Sequence, residues 1–343
     1  MTDFLAGVEL EKMCPNVLFQ FKGVMFMELD KCLYGLPNII DARQFDLEFL
    51  DRFFKIATDM EGVAKQGNCD LLHRKTMVQL FYEESTRTRA SFAAAMIKLG
   101  GQIMFATENA KLFSSAAKGE TLSDTIRVLC GYGPDVIVLR HNEDGAAEEA
   151  AMFSSVPIIN AGTGKNQHPT QALLDIFTIL KEVGHIDGVK IAMVGDLSNG
   201  RTVRSNSYLL GKFKGVEIDF VSPKCSMMGN DVKEYLGRHC VKFQESTDLR
   251  EVAPHVDVIY QTRTQKERGS DFSRDDHSLG YFTVNKEILD LMKKDAIIMH
   301  PLPRVDEIDK EVDSDPRAAY FRQASNGLYA RMALLKMILT PRA

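Results

Sequence analysis

Thr76-Met77-Val78-Gln79-Leu80-Phe81-Tyr82-Glu83-Glu84-Ser85-Thr86-Arg87-Thr88-Arg89 reads as a buried strand running into a turn of hydroxyls and guanidiniums. A helical pattern opens at once, from Ala90 to Leu99, and Gly100-Gly101 closes it. Strand, tight polar turn and helix make one βα step, and the step recurs along the chain. Strands are expected at 76–83, 102–107, 135–140 and 157–160 in the first half. The second half offers 190–195, 216–221, 256–261 and 296–300. Short apolar strands alternating with helical patterns are the signature of parallel sheets covered by helices. Between the two sets, Ala172–Val183 carries Leu173, Leu174, Phe177 and Leu180 at helical spacing, with Gly184 as its stop. A second helix, Asp46–Ala64, precedes the first strand. The last, Gly327–Leu339, is expected to dock back on another element. The expected fold class is α/β: two doubly wound parallel-sheet domains joined by helices.

Composition agrees with that size and class. The 343 residues are 45% hydrophobic and 26% charged, which excludes a disordered chain, a collagen and a disulfide mini-protein. Two domains are the natural division of such a length, each large enough for its own core. Lys and Arg number 42 against 47 Asp and Glu, a net charge of -5, which argues against a general nucleic-acid or membrane-surface binder. The six cysteines, at 14, 32, 69, 130, 225 and 240, show no C-x-x-C spacing, so neither a zinc site nor a disulfide framework is indicated and a reducing compartment fits. No apolar run approaches the ~18 residues of a membrane span. The amino end carries Asp3, Glu9 and Glu11, unlike a basic secretory signal or an Arg-rich transit peptide, so a cytoplasmic location is expected. Residues 1–36 form an amino-terminal extension to which no motif assigns a role.

The chemistry concentrates where the first strand meets its helix. The first turn of a helix presents unpaired N–H groups and a partial positive charge, which suits an anion. Ser85, Thr86 and Thr88 add hydroxyl donors, and Arg87 can grip a phosphate with two parallel hydrogen bonds. A helix cap with exposed arginines would use the same residue types, but one hydroxyl suffices for a cap. A second cluster, His168-Pro169-Thr170-Gln171, follows the turn Ala161-Gly162-Thr163-Gly164. Proline at the first helical position leaves the preceding His outside the helix with its imidazole free. A histidine at a strand end lies where open α/β sheets bind ligands, though most lone histidines are structural. The residues alone leave both readings of His168 open.

These motifs, together with His300-Pro301-Leu302-Pro303-Arg304 and in this order, resemble those of the carbamoyltransferases. Arg263-Thr264-Gln265-Lys266-Glu267-Arg268 narrows the resemblance to the aspartate carbamoyltransferase family. It spans about residues 37–340 and takes in Lys118-Gly119-Glu120-Thr121, Gly195-Asp196-Leu197 and Gly200-Arg201-Thr202. Ornithine-using sister enzymes typically carry a Cys in both His-Pro motifs, where this chain has Thr170 and Pro301. Ser226-Met227-Met228-Gly229 lies too early in the chain to be their Ser-Met-Gly loop.

The resemblance implies an active site in the interdomain cleft. Residues 37–170 would form the carbamoyl-phosphate-binding domain, with the C-terminal helix 322–343 packing back on it. Residues 171–321 would form the aspartate-binding domain. Carbamoyl phosphate would be held by Ser85, Thr86, Arg87, Thr88, Arg140, His168, Gln171, Pro301 and Leu302. Aspartate falls to Lys118, Arg201, Arg263, Gln265 and Leu302, and catalysis to Arg87, Thr88, Lys118, Arg140 and His168. Arg140, His168 and Thr88 would surround the carbonyl oxygen, where negative charge develops. Ser114 (or Ser115) and Lys118 are implied to reach a neighbouring subunit's site, in a homotrimer with shared active sites. No metal or organic cofactor is implied. Glu267 and Arg268 are expected to bridge the domains. The expected reaction joins carbamoyl phosphate and L-aspartate to give N-carbamoyl-L-aspartate and phosphate, the committed pyrimidine step in the family.

Two departures concern aspartate affinity: Ser198 stands where many relatives carry a Lys, and the Lys118 loop, 109–119, reads as a slightly longer, mobile loop. Three alternatives are carried forward. Another amino acid, such as ornithine, could be the acceptor. Gly195–Thr202 nearly fits a nucleotide phosphate loop, with Arg201 in place of the lysine. A non-catalytic scaffold relative would have eroded Arg87, Thr88, Arg140 or His168, and none is eroded.

Overall fold

The computed structural model describes residues 37–263 and 282–340. Its first sheet contains β1 (Thr76–Phe81), β2 (Gln102–Thr107), β3 (Val136–His141) and β4 (Ile158–Thr163), all parallel, in the order β2-β1-β3-β4. The chain therefore leaves β1 towards one side and returns on the other at β3. Around this sheet lie α1 (Leu47–Gln66), α2 (Thr86–Lys98), α3 (Ala110–Phe113), α4 (Leu122–Gly131) and α5 (Ala146–Phe153).

The second sheet is also parallel, built from β5 (Lys190–Val194), β6 (Glu217–Val221), β7 (Lys242–Ser246), β8 (Val258–Gln261) and β9 (Ile297–Met299). Its order, β7-β6-β5-β8-β9, reverses at β5 and β8. The helix α6 (Pro169–Val183) connects the two sheets. Its stretch from Pro169 to Ile179 is buried on every face, and Gly184 ends it at φ 91 with its N–H bonded to Leu180 O. The remaining helices are α7 (Arg201–Leu210), α8 (Asn230–Arg238), α9 (Leu249–Val252), α10 (Lys286–Leu291) and α11 (Tyr320–Leu339). In open parallel sheets the crevice for ligands lies beyond the carboxyl ends of strands at the point where the order reverses. Here those ends are β1 with β3, and β5 with β8.

The eight strands expected from sequence are present within a residue or two of their limits, except that β4 runs on to Thr163. The ninth, β7, was not expected. It is an edge strand of Lys242-Phe243-Gln244-Glu245-Ser246, exposed along nearly its whole length, so it lacks the apolar signal of a buried strand. The helix after β1 begins at Thr86 rather than Ala90, so the hydroxyls and Arg87 lie in its first turn. Residues 109–119 are not a plain loop. They fold into α3 and a 3₁₀ turn, Ser115–Lys118, because Ser114 Oγ accepts the Ala116 N–H and donates to Ala110 O. The last helix starts at Tyr320 and packs against α1, α2 and α6. Its Gly327 would be costly at a mid-helix position, but a Cβ there would sit 2.5 Å from Arg331 Nη1. Among the described residues no helix is long and apolar enough to cross a membrane.

Candidate active site

A cleft of about 900 Å³ opens where the reversal points of the two sheets face each other. From the first sheet it receives the turn after β1. Ser85 occupies the N-cap position of α2, yet its side chain makes no capping bond, and Thr86, Arg87 and Thr88 form the first turn. The helix N-terminus and these side chains together present a dense array of donors. Arg89 points elsewhere, into an ion pair with Glu108 at 3.0 Å. Burial and the neighbouring charge of Arg263, which enters after β8, hold the Arg87 guanidinium below its ordinary pKa. Two like charges turned towards one space are an electrostatic invitation to an anion.

The end of β3 adds Arg140, and the start of α7 adds Arg201. Both reach Glu83 Oε2, at 3.2 and 3.1 Å, and Arg201 is almost wholly buried. The Nη1 of each donates to a backbone carbonyl, Arg140 Nη1 to Ala161 O at 3.4 Å and Arg201 Nη1 to Gly164 O at 3.1 Å. Gly162 has φ 111, and a Cβ there would meet the Arg201 guanidinium at 2.9 Å, so the glycine opens its path. One carboxylate thus clamps a cation from each sheet. In the phosphate-loop-like stretch 195–202, the arginine that stands in place of the lysine is thus held by Glu83 and the Gly164 carbonyl. Within the same stretch, Asp196 Oδ1 accepts from the Ser198 hydroxyl and the Asn199 N–H, which is where the Lys-to-Ser departure goes.

His168 stands at the N-cap of α6, buried, with Pro169 at the first helical position. Its backbone N–H donates to Ser205 Oγ at 3.0 Å, so α7 of the second sheet helps to seat it. Gln171, one turn into α6, donates through Nε2 to Asp175 Oδ1 at 2.8 Å. Asp175 is fully buried and also accepts from the Tyr260 hydroxyl (2.6 Å), Asn206 Nδ2 (2.9 Å) and Gln323 Nε2 (2.7 Å). Burial pushes its carboxyl up to about 6 even though all four bonds pull the other way. After β9 the chain turns through His300, Pro301 and Leu302. His300 Nδ1 accepts the Leu302 N–H at 2.7 Å and its Nε2 meets Glu307 at 2.7 Å, so the imidazole braces the turn while Leu302 holds φ 54. Burial lowers the His300 pKa.

Eleven residues singled out from sequence line this one cleft: Ser85, Thr86, Arg87, Thr88, Arg140, His168, Gln171, Arg201, Arg263, Pro301 and Leu302. Ser114 and Lys118 do not line it; they sit at the 3₁₀ turn after α3. Gln265, Glu267 and Arg268 lie outside the described residues, as do residues 1–36 and 341–343. Sequence reasoning missed Glu83, Asp175, Gln323 and Arg331. Asp175 left a signal, a carboxylate set inside the apolar run Leu173-Leu174-Asp175-Ile176-Phe177. Glu83 adjoined the cationic turn, but nothing in the sequence paired it with Arg201. Gln323 and Arg331 belong to α11, whose return to the cleft is a tertiary event.

Chemically, the cleft offers cations and hydrogen-bond donors for an anionic leaving group, further donors for a developing oxyanion, and a second pair of guanidiniums for an acidic partner. Group transfer by direct displacement suits that inventory. Two family models match the chain: the aspartate/ornithine carbamoyltransferase carbamoyl-P binding domain over residues 38–181, and the Asp/Orn binding domain over 187–338. An aspartate carbamoyltransferase of Arabidopsis thaliana, named as chloroplastic, is 54% identical over 308 residues, covering 89% of this chain and 78% of its own. The aspartate carbamoyltransferase catalytic subunit of Methanocaldococcus jannaschii is 51% identical over 293 residues, covering 85% and 93%. Among solved structures, aspartate transcarbamoylase of Trypanosoma cruzi in complex with carbamoyl phosphate matches at TM-score 0.84 and 42% identity, over 88% of this chain and 96% of that one. With both of its sheets matched and the cleft between them lined by the motif residues, this chain belongs to the aspartate/ornithine carbamoyltransferase family.

Proposed function

We propose that the chain transfers the carbamoyl group of carbamoyl phosphate to the amine of L-aspartate, giving N-carbamoyl-L-aspartate and phosphate. One observation carries the reading: the anion-binding turn after β1 and two guanidiniums of the second sheet, Arg201 and Arg263, open into the same cleft. Arg87, with Ser85, Thr86 and Thr88, holds the phosphate. Arg140, His168 and Thr88 donate to the carbonyl oxygen as it gains negative charge, while Gln171 and the turn at Pro301 and Leu302 position the carbamoyl group. The neutral amine attacks the carbonyl carbon, the new C–N bond forms, and the C–O bond to phosphate breaks. The departing phosphate takes the amine proton, so no side-chain base is required. Arg201 and Arg263, joined by Gln265, hold the two carboxylates of aspartate.

The domain roles follow: residues 37–170 with the last helix serve carbamoyl phosphate, and residues 171–321 serve aspartate. Product formation with aspartate and with ornithine, side by side above pH ~8 where more amine is neutral, tests the reading. It requires turnover with aspartate alone.

The same reading includes a homotrimer in which Ser114 and Lys118 complete a neighbour's cleft. Its support is exposed apolar side chains near the sheet edge: Met104 and Phe105 of the edge strand β2, each 40% exposed, and Leu112 of α3, 63% exposed. Mixing Lys118→Ala with His168→Ala chains, each inactive alone, should restore activity in mixed oligomers; no recovery removes the shared site. A cytoplasmic location belongs to the same proposal and is tested by cell fractionation, since plant relatives are named as chloroplastic.

A further inference from the structure

Three helices meet at one end of the cleft: α2 brings Ala90 and Ser91, α6 brings Leu174, and α11 brings Gln323, Ala324 and Arg331. None of the contacts proposed for carbamoyl phosphate or aspartate uses Arg331. That side chain is only 3% exposed, yet it lines the cleft. Its guanidinium lies 5.1 Å from the centroid of the Phe92 ring, and its Nη1 donates to Gly327 O at 3.0 Å. Among the described residues its buried Nε has no hydrogen-bond partner. Asp175 acts on its charge through space, but both oxygens of that carboxylate are taken by Gln171, Gln323, Tyr260 and Asn206. Burial lowers the Arg331 pKa to about 10, so the group is still a cation at neutral pH.

A buried cation without an anionic partner costs free energy, and one carbonyl and one ring offset only part of it. The bond to Gly327 O engages Nη1. It leaves Nε with Nη2, the edge of the fork that grips an oxyanion with two parallel hydrogen bonds. Phe92 and the Gly327 carbonyl hold that edge in one orientation, so little side-chain freedom is left to lose on binding. We propose that the end of the cleft between α2, α6 and α11 is a second oxyanion subsite, where the Arg331 fork holds inorganic phosphate. The carbamoyl-transfer reading places a phosphate at the turn after β1; this subsite holds another, elsewhere in the same cleft. The chain would then carry phosphate and carbamoyl phosphate at the same time. Two anions in one cleft repel, so the second should bind more weakly than the first.

The test is equilibrium dialysis of the full chain with radiolabelled inorganic phosphate, alone and with saturating phosphonoacetamide. That compound mimics carbamoyl phosphate with a CH₂ in place of the bridging oxygen, so it fills the turn without releasing phosphate. The wild-type chain should keep labelled phosphate when the analogue saturates. Complete displacement overturns the proposal. Arg331→Met removes the fork and its charge, and should weaken the retained phosphate by roughly tenfold or more while the analogue holds within about threefold. Undiminished retention by this variant sinks the idea. So does an equal loss of the analogue, which would put Arg331 at the first phosphate. Arg331→Lys keeps the charge without the paired edge and should weaken the retained phosphate by a similar factor. Unchanged binding there defeats the fork even if Arg331→Met fails to fold. Failure of the analogue to bind tells instead against the function proposed above. The subsite is then judged by phosphate stoichiometry alone, which must fall in Arg331→Met.

Discussion

The two sides of the cleft are made differently. The side attached to the first sheet is local: Ser85, Thr86, Arg87 and Thr88 are consecutive, set by one strand end and one helix start. The side attached to the second sheet is assembled from afar, with Arg201 leading α7, Arg263 following β8, and Arg201 already clamped by Glu83 of the opposite side. A local site is built as soon as its βα step folds. A distributed one exists only when both sheets are docked, and an incoming carboxylate must share its cations with a resident one. The first side therefore presents a contiguous array of donors, and the second includes a cation that a ligand must draw from an existing pair.

Three experiments press on that contrast. The largest effect is expected on the local side, where Arg87→Ala should lower kcat/KM by about 10³-fold with the circular dichroism spectrum unchanged. Near-normal turnover would mean that the turn after β1 is not the phosphate site.

Next comes the floor that both sides share. Asp175 titrates at about 6 in the folded chain against an ordinary value of 3.8. The folded state thus binds this proton more tightly than the unfolded state does. Stability from the group is fully present below about 3.8 and lost as pH rises through about 6, a change of ~3 kcal/mol. Denaturant unfolding between pH 4 and 7 should show the wild-type chain losing most of that relative to Asp175→Asn. Parallel curves for the two proteins would mean the carboxyl is not raised.

The smallest effect is expected on the distributed side. Arg263→Ala should raise the KM for aspartate by roughly ten- to a hundredfold, since hydrogen bonds to charged groups contribute about 1.5–3 kcal/mol. The KM for carbamoyl phosphate should stay within about threefold. Equal rises in both constants would erase the distinction between the sides.

Much of this was legible before any coordinates. Strands such as Val136–His141 are buried on both faces and announce themselves as apolar runs, and Pro169 and Gly184 mark the two ends of α6 by backbone chemistry alone. The edge strand Lys242–Ser246 was not legible, because an exposed strand is under little pressure to be apolar. Nor was the fold of 109–119, where small residues permit a turn without demanding one. Site residues within short motifs could be read together. Glu83 and Asp175 could not, because Arg201, Asn206, Tyr260 and Gln323 lie far from them in sequence.

By itself, then, the chain's order of residues determined two parallel-sheet units, a turn of hydroxyls and guanidiniums after the first strand and membership of a recognisable family. Those depend on local propensity, on hydrophobic period and on contiguous motifs, all of which act over a few residues. Tertiary structure alone decided that Glu83 would hold Arg140 and Arg201 at once, and that the docked α11 would set Gln323 on Asp175. Such pairings join positions 118 and 148 residues apart. They form only when burial removes water as the competing partner, and no local pattern records that.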